Sequence, residues 1–293
     1  MDINTLRKWI AERDSISILE TVDVHTGIRT ALKEFDFVIE APNWTQDGKT
    51  LIYNSQGHMY TYTLATGEIK EIQTGLAIDC NNDHVLSPDN TQLAVSHFTN
   101  EDAASRIYIL PLGGGTPVLV TEKAPSYLHG WSPDGQRLAY CAERGGQYDI
   151  YTISVRGGPE TQLTNLPGLD DGPEYAPDGK TIWFNSTRTG LMQVWRMAVD
   201  GSNLVHAVQE DANCWFPHVS PNGEWVVYIT YGKNDVKAGD HPANKQVELR
   251  LVPAGGGESK TIAKLFGGQG TINVNSWSPD NRTIAFVSYR LKQ

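Results

Sequence analysis

Cysteine is scarce in this chain: Cys80, Cys141 and Cys214 are the only three among 293 residues. An odd number without close pairs excludes a disulfide framework, and free, mostly buried thiols are expected. Positive charge is in deficit too. Lys and Arg total 24 against 34 Asp and Glu, a formal charge of −10. Nucleic acid as the main partner is excluded because phosphate binding needs a concentrated basic surface, and an anionic membrane is disfavoured for the same reason. No stretch approaches the ~18 consecutive apolar residues of a membrane-spanning helix. The opening MDINTLRKWIAERD has no apolar run of the kind an export signal needs. A cytoplasmic location is therefore expected, or a periplasmic one if a signal peptide has been removed.

Several catalytic signatures are missing as well. There is no H-E-x-x-H, no G-x-x-x-x-G-K-[ST], no C-x-x-C and no G-x-G-x-x-G between a strand and a helix. Nor is there a G-x-S-x-G.

What the chain has is a repeat. WTQDGKTLIY (44–53), LSPDNTQLAV (86–95), WSPDGQRLAY (131–140), YAPDGKTIWF (175–184), VSPNGEWVVY (219–228) and WSPDNRTIAF (277–286) align without gaps. Their turn residues Asp47, Asp89, Asp134, Asp178, Asn222 and Asp280 are 42, 45, 44, 44 and 58 residues apart. Pro presets φ, Asp or Asn bonds back to the local backbone, and Gly or Asn tolerates positive φ. The alternating apolar run that follows reads as a strand. Each copy is thus strand a, a turn and strand b. Turn capping, not a calcium-binding ring, accounts for the six Asp/Asn residues. Trp44, Trp131, Tyr175 and Trp277 are expected to pack between units.

A second series follows: ISILETV (16–22), HMYTYTL (58–64), RIYILPL (106–112), YDIYTIS (148–154), QVWRMAV (193–199) and VELRLVP (247–253), each leading into a Gly-bearing turn. These are c strands with hairpins into d strands. The first c–d pair has no a–b pair before it, and the last a–b pair has no c–d pair after it. Joined, the two termini complete one unit and leave no long free sheet edge. The expected fold is all-β: a six-bladed β-propeller of four-stranded antiparallel blades over residues 15–293. An open β-solenoid is the competing architecture, but it gives no reason for split terminal pairs. Residues 1–14 are an N-terminal extension, with a short helix expected over 5–12.

The W-S-P-D-G…L-A-Y unit, followed by D-I-Y-x-I and a Gly turn, resembles the TolB-type propeller repeat across about residues 15–290. The resemblance implies a stand-alone TolB-like propeller. TolB itself has a further N-terminal α/β domain and is periplasmic; neither feature is visible here, so its partners are not carried over. The repeat is also similar to that of prolyl-oligopeptidase-like enzymes, whose chemistry lies in a separate hydrolase domain. Oligogalacturonate lyases use related repeats with a histidine-rich metal site in the channel, which keeps an enzyme reading open.

In such a blade the a–b and c–d turns share one face, and the b–c loops and d–a crossovers share the other. The second face is irregular, which is where a rigid scaffold tends to carry binding residues. Its segments leading into strand a include CNNDH (80–84), PSYLHG (125–130), LDDGPE (169–174), NCWFPH (213–218) and NVNS (273–276). His84 and His129 share one repeat position; Asn43, Glu174 and His218 share the next; Asp170 and Asp171 precede them. The b–c loops add His97, Glu143, Arg144, Arg188 and Arg290.

Two readings stand. In one, His84, His129, Asp170, Asp171, Glu174 and His218, with Arg144 and Arg188, form a ligand site at the channel mouth. Imidazole and carboxylate would suit a divalent metal there, or a base and acid pair. In the other, the same residues hydrogen-bond neighbouring blades, with Arg144 and Arg188 in blade-to-blade ion pairs. The insertion YGKNDVKAGDHPANK (231–245), with His241, is a lid, a docking tag or, as favoured here, an unstructured surface loop. The expected function is non-catalytic: a binding or scaffold protein holding a protein partner or small ligand at the crossover face, without a cofactor. The alternative is a carbohydrate-active lyase or hydrolase using the His/Glu cluster, with or without a metal.

Overall fold

The repeated turn fixes the local geometry. In blade three the Ser132 hydroxyl donates to Asp134 Oδ1 at 2.6 Å, which also accepts the Gln136 backbone N–H at 3.0 Å. The same carboxylate or amide contact to the N–H two residues on recurs at Asp47, Asp89, Asp178, Asn222 and Asp280. The next residue in each turn is Gly48, Asn90, Gly135, Gly179, Gly223 or Asn281, all with φ between 55 and 74°. That left-handed conformation is why only Gly or Asn occupies the position. These carboxylates serve their own turns, as turn capping requires.

A computed structural model describes residues 15–292. The helix expected over 5–12 lies outside the described residues. Six sheets form around a central channel, and in the complete ones the strands run antiparallel in chain order. Blade three shows the pattern: Ser126–Trp131, Arg137–Arg144, Gln147–Ser154 and Thr161–Gln162. The other a strands are Glu40–Trp44, Cys80–Leu86, Asp170–Tyr175 and Ala212–Val219.

The ring closes between the ends of the chain. Ser15–Asp23 pairs antiparallel with Thr283–Leu291 over nine residues, from Ser15 opposite Leu291 to Asp23 opposite Thr283. Arg29–Phe35 adds the outer strand. In this sixth blade the a position is a single bridge, Trp277 to Ile284, not a full strand. The segment before it turns through a short 3-10 stretch, Gln269–Thr271.

The core is divided in the same way. Among the described residues six apolar clusters form, each centred on the seam between two adjacent blades: Leu128, Trp131 and Tyr140 with Ala94 and Ile107, for instance, or Phe286 and Trp277 with Trp215 and Val227, where Met192 of blade four joins. Trp131, Tyr175 and Trp277 belong to these clusters, and Trp44 packs against one. Burying apolar surface at every seam holds neighbouring blades in fixed register. The three cysteines are free and buried. Among the described residues no helix is long and apolar enough to cross a membrane.

Candidate functional site

Each of the five regular a strands carries a β-bulge, and the bulges build the channel lining. In blade three Leu128 pairs with Tyr140 and Gly130 with Ala139, so His129 is left out of the ladder. In blade two the ladder breaks between Cys80 and His84, which leaves out Asn81, Asn82 and Asp83. Blade four breaks between Asp171 and Glu174, with Gly172 at φ 62°. Blade five breaks between Trp215 and His218, with Phe216 at φ 53°. A bulge re-aims side chains and shifts their alternation by one or more residues.

Re-aimed in this way, His129, Asp171, Asp83 and Phe216 come together around a cavity of about 290 Å³ on the crossover face. His129 Nε2 lies 3.1 Å from Asp171 Oδ1, and the imidazole stacks on Phe216 with ring centroids 5.9 Å apart. Asp83 accepts the side-chain amides of Asn273 and Asn81, each at 2.6 Å. Tyr127, Tyr148, Phe98 and Leu169 supply walls, and Cys141 lies among them.

Burial disfavours the His129 imidazolium, but the carboxylates of Asp171 and Asp83 outweigh it and raise its pKa. Asp171 is the reciprocal case: burial opposes its charge, and His129 outweighs that and lowers its pKa. Asp83 is pushed up by burial, which His129 and Asn273 only partly offset. Burial also pushes the Cys141 thiol well up, so it is a poor nucleophile.

The insertion is not a bare surface loop. Gly239 and His241 border the cavity, and the His241 ring packs edge-on against Trp215 and Phe216 at 4.3 and 5.4 Å. Tyr231 Oη donates to the Pro242 carbonyl at 3.2 Å and fixes the returning arm. Charged composition hid this, because one imidazole anchors an otherwise polar segment. Burial lowers the His241 pKa, partly offset by Asp171.

The remaining candidates are separated from this cavity. Glu174 and His218 form a buried pair, Oε2 to Nδ1 at 2.7 Å. Glu174 Oε1 accepts Val219 N and Asn275 Nδ2, and the other ring nitrogen of His218 meets the Ile272 carbonyl. Glu174 borders a second cavity of about 200 Å³ with Trp44, Trp131 and Asn275, and His129 borders both. His84 lines neither. It is fully buried, its pKa is lowered to about 4 by burial, and neither ring nitrogen has a well-formed partner. The longer bulge of blade two explains the difference from His129: it re-aims Asn81–Asp83 and returns His84 to the ladder opposite Val95.

Arg188 donates to Asp170 at 2.6 Å with both side chains buried, and Arg144 grips Glu160 through two contacts of 3.0 Å. These ion pairs are made within single blades, not between blades. In each, the Arg ends or follows strand b and its carboxylate flanks the same sheet. Among the described residues no three His, Cys, Asp or Glu side chains are placed to hold a metal ion.

Sequence reasoning overlooked Asp83, Asn273, Tyr127, Tyr148 and Phe216. Asp83 is adjacent to His84, and an alternation count without a bulge selects the wrong one of the two. Asn273 carries no signal beyond its place in the last crossover.

The TolB beta propeller domain pattern matches residues 83–264. An uncharacterized protein of Agrobacterium fabrum is 44% identical over 274 residues, covering 93% of this chain and 92% of that protein. A solved protein of Agrobacterium tumefaciens, provisionally named TolB, superposes with a TM-score of 0.90 at 44% identity, covering 94% of this chain and 99% of that one. The Tol-Pal system protein TolB of Francisella tularensis is 29% identical over 259 residues, 85% of this chain but only 56% of its own length.

Proposed function

Since this chain belongs to the TolB β-propeller family, we propose that it is a binding protein that holds a small polar ligand in its crossover-face cavity. The observation that carries this reading is the His129–Asp171 pair set in a cavity bordered by His241 of the insertion. A recess of this size, framed by a loop, suits a small molecule better than a protein surface, because ligand pockets are concave and bring a few polar groups to bear. Assembly into a Tol-Pal system belongs to the named relative and is not needed here.

A lyase or hydrolase is supported less well. It would require His84, His129, Glu174 and His218 to face one space, whereas His84 is buried in the ladder opposite Val95 and the Glu174–His218 pair is committed to protein partners. The test is a thermal-shift screen of the chain against amines, neutral sugars, uronates and divalent metals, repeated with His129→Ala. A ligand at about a hundred times its Kd stabilises the native state by about 2.7 kcal/mol, which a melt resolves easily. A shift lost in the variant is expected. Turnover of a substrate abolished by His129→Ala would replace this reading with the enzyme.

A further inference from the structure

The cavity's hydrogen-bonding groups are unevenly used. Its amide donors are turned into the protein. Asn273 Nδ2 donates to Asp83 Oδ1 at 2.6 Å and faces both oxygens of Asn82 at 3.2 Å. Asn81 Nδ2 donates to Asp83 Oδ2, Gln269 Nε2 to Asn82 Oδ1, and Asn82 Nδ2 to Glu40. One acceptor is left over. Asn273 is 1% exposed, and its Oδ1 has no donor. Its orientation is not arbitrary, because three acceptors gather on the nitrogen side and a flipped amide would set oxygen against oxygen. A buried acceptor without a donor is costly, and this unmet one lies on a residue that lines the cavity.

The charges point the same way. Asp83 and Asp171 line the cavity and, among the described residues, no Lys or Arg does; Arg188 and Arg144 are tied to Asp170 and Glu160. With both carboxylates ionised, the lining carries a net −1 when His129 is protonated and His241 neutral, and −2 when both imidazoles are neutral. An anion entering here would meet the carboxylates of Asp171 and Asp83 with His129 already engaged by Asp171, which is a strong bar. The apolar walls are rings: Phe98, Tyr127, Tyr148 and Phe216. Aromatic faces attract a cation as well as a hydrocarbon. The 290 Å³ volume accommodates about ten groups of water size at ~30 Å³ each.

We infer that the ligand is a small organic cation, a protonated amine or guanidinium on a compact apolar body, donating to Asp171 with its body against the rings. This rests on the small-ligand reading above.

The test is isothermal titration of the whole chain with phenethylamine and agmatine, against 2-phenylethanol, glucose, galacturonate and manganese chloride. Phenethylamine and 2-phenylethanol have the same size and differ in the charged group, so the comparison needs no variant. At least one of the two cations is expected to bind, with 2-phenylethanol about tenfold or more weaker than phenethylamine. Asp171→Asn is expected to weaken the cation by a similar factor. Equal binding of amine and alcohol overturns the inference, as does binding of manganese in preference to both cations. Glucose or galacturonate binding while the cations do not overturns it too, yet leaves the small-ligand reading standing. Binding by no member of the panel removes both.

Discussion

The a–b turns and the channel use the same residue types in opposite ways. At the turns, polar side chains bond to partners a few residues away: Ser132 to Asp134, Ser220 to Asn222, Ser278 to Asp280. In the channel, partners come from distant parts of the chain. His218 meets Glu174 across 44 residues, Asn275 meets Glu174 across 101, and Asn273 meets Asp83 across 190. A turn is held mainly by its own residues, with single links such as Asn222 N to Asn281 Oδ1 or Gln46 to the Pro88 carbonyl reaching the next blade, whereas a channel residue is held by several blades at once. Cooperative polar networks of the second kind specify one arrangement and are costly to break.

The largest effect that would sharpen this contrast is expected from Arg188→Ala. Asp170 is fully buried and its Oδ1 already has no partner. Removing the guanidinium 2.6 Å from Oδ2 strands that carboxylate. Breaking a buried pair from one side costs about 3–5 kcal/mol, visible as a lowered midpoint in urea unfolding. A loss below about 1 kcal/mol would mean this buried pair relaxes as freely as a turn.

His84 offers a pH-dependent version. Its folded pKa of about 4 lies below the ordinary 6.5 because burial penalises the imidazolium. Between those values the unfolded chain takes up a proton that the folded chain refuses, so stability falls as pH drops from 6.5 towards 4. Below 4 both states are protonated and the loss stops. The linkage amounts to about 3 kcal/mol over the window. His84→Leu removes the proton uptake and is expected to flatten that limb relative to the parent, measured by unfolding at each pH. Parallel pH curves for the two proteins would rule out this role for the imidazole.

Gly172→Ala is expected to cost about 1–3 kcal/mol, from crowding a well-packed site with the added methyl. The residue has φ 62°, and a Cβ would lie 2.5 Å from Asn185 Oδ1, the atom that accepts Phe216 N at 3.0 Å. The equivalent bulge residue in blade one is Ala41, with φ 55°, so the conformation itself is open to alanine. The contact with Asn185 is what differs. Gly172→Ala combined with Asn185→Ala separates the clash from the conformation: a double-variant loss no larger than that of Asn185→Ala alone assigns the cost to the clash.

The same contrast explains what was legible in the sequence. The turns, the strand pairs, the closure of Ser15–Asp23 on Thr283–Leu291 and the blade number all follow from bonds made within one repeat or from counting repeats. The candidate site was half legible. His129 and Asp171 do meet, and Glu174 and His218 do pair. His84 was misplaced because a bulge of different length interrupts the alternation on which a strand reading depends. Asp83 and Asn273 meet only because the last crossover passes beside blade two, and nothing in either segment encodes that.

The smallest effect tests the other side of the comparison. Asp134→Ala removes an acceptor for Ser132 Oγ and Gln136 N in a solvent-facing turn. Gly135 still supplies the positive φ, and Gly135 N still donates to Ser132 O at 2.8 Å. The Trp131 ring remains in its cluster between blades two and three. The loss is expected to stay within about 1 kcal/mol, the net worth of a hydrogen bond, and ligand affinity is expected to be unchanged. Urea unfolding with the titration repeated on the variant checks both. A change in affinity would show that the turn and the cavity communicate through strand a of blade three, where His129 follows Leu128 and Trp131 ends the strand. The division of labour between turns and channel would then fail at the one strand that joins them.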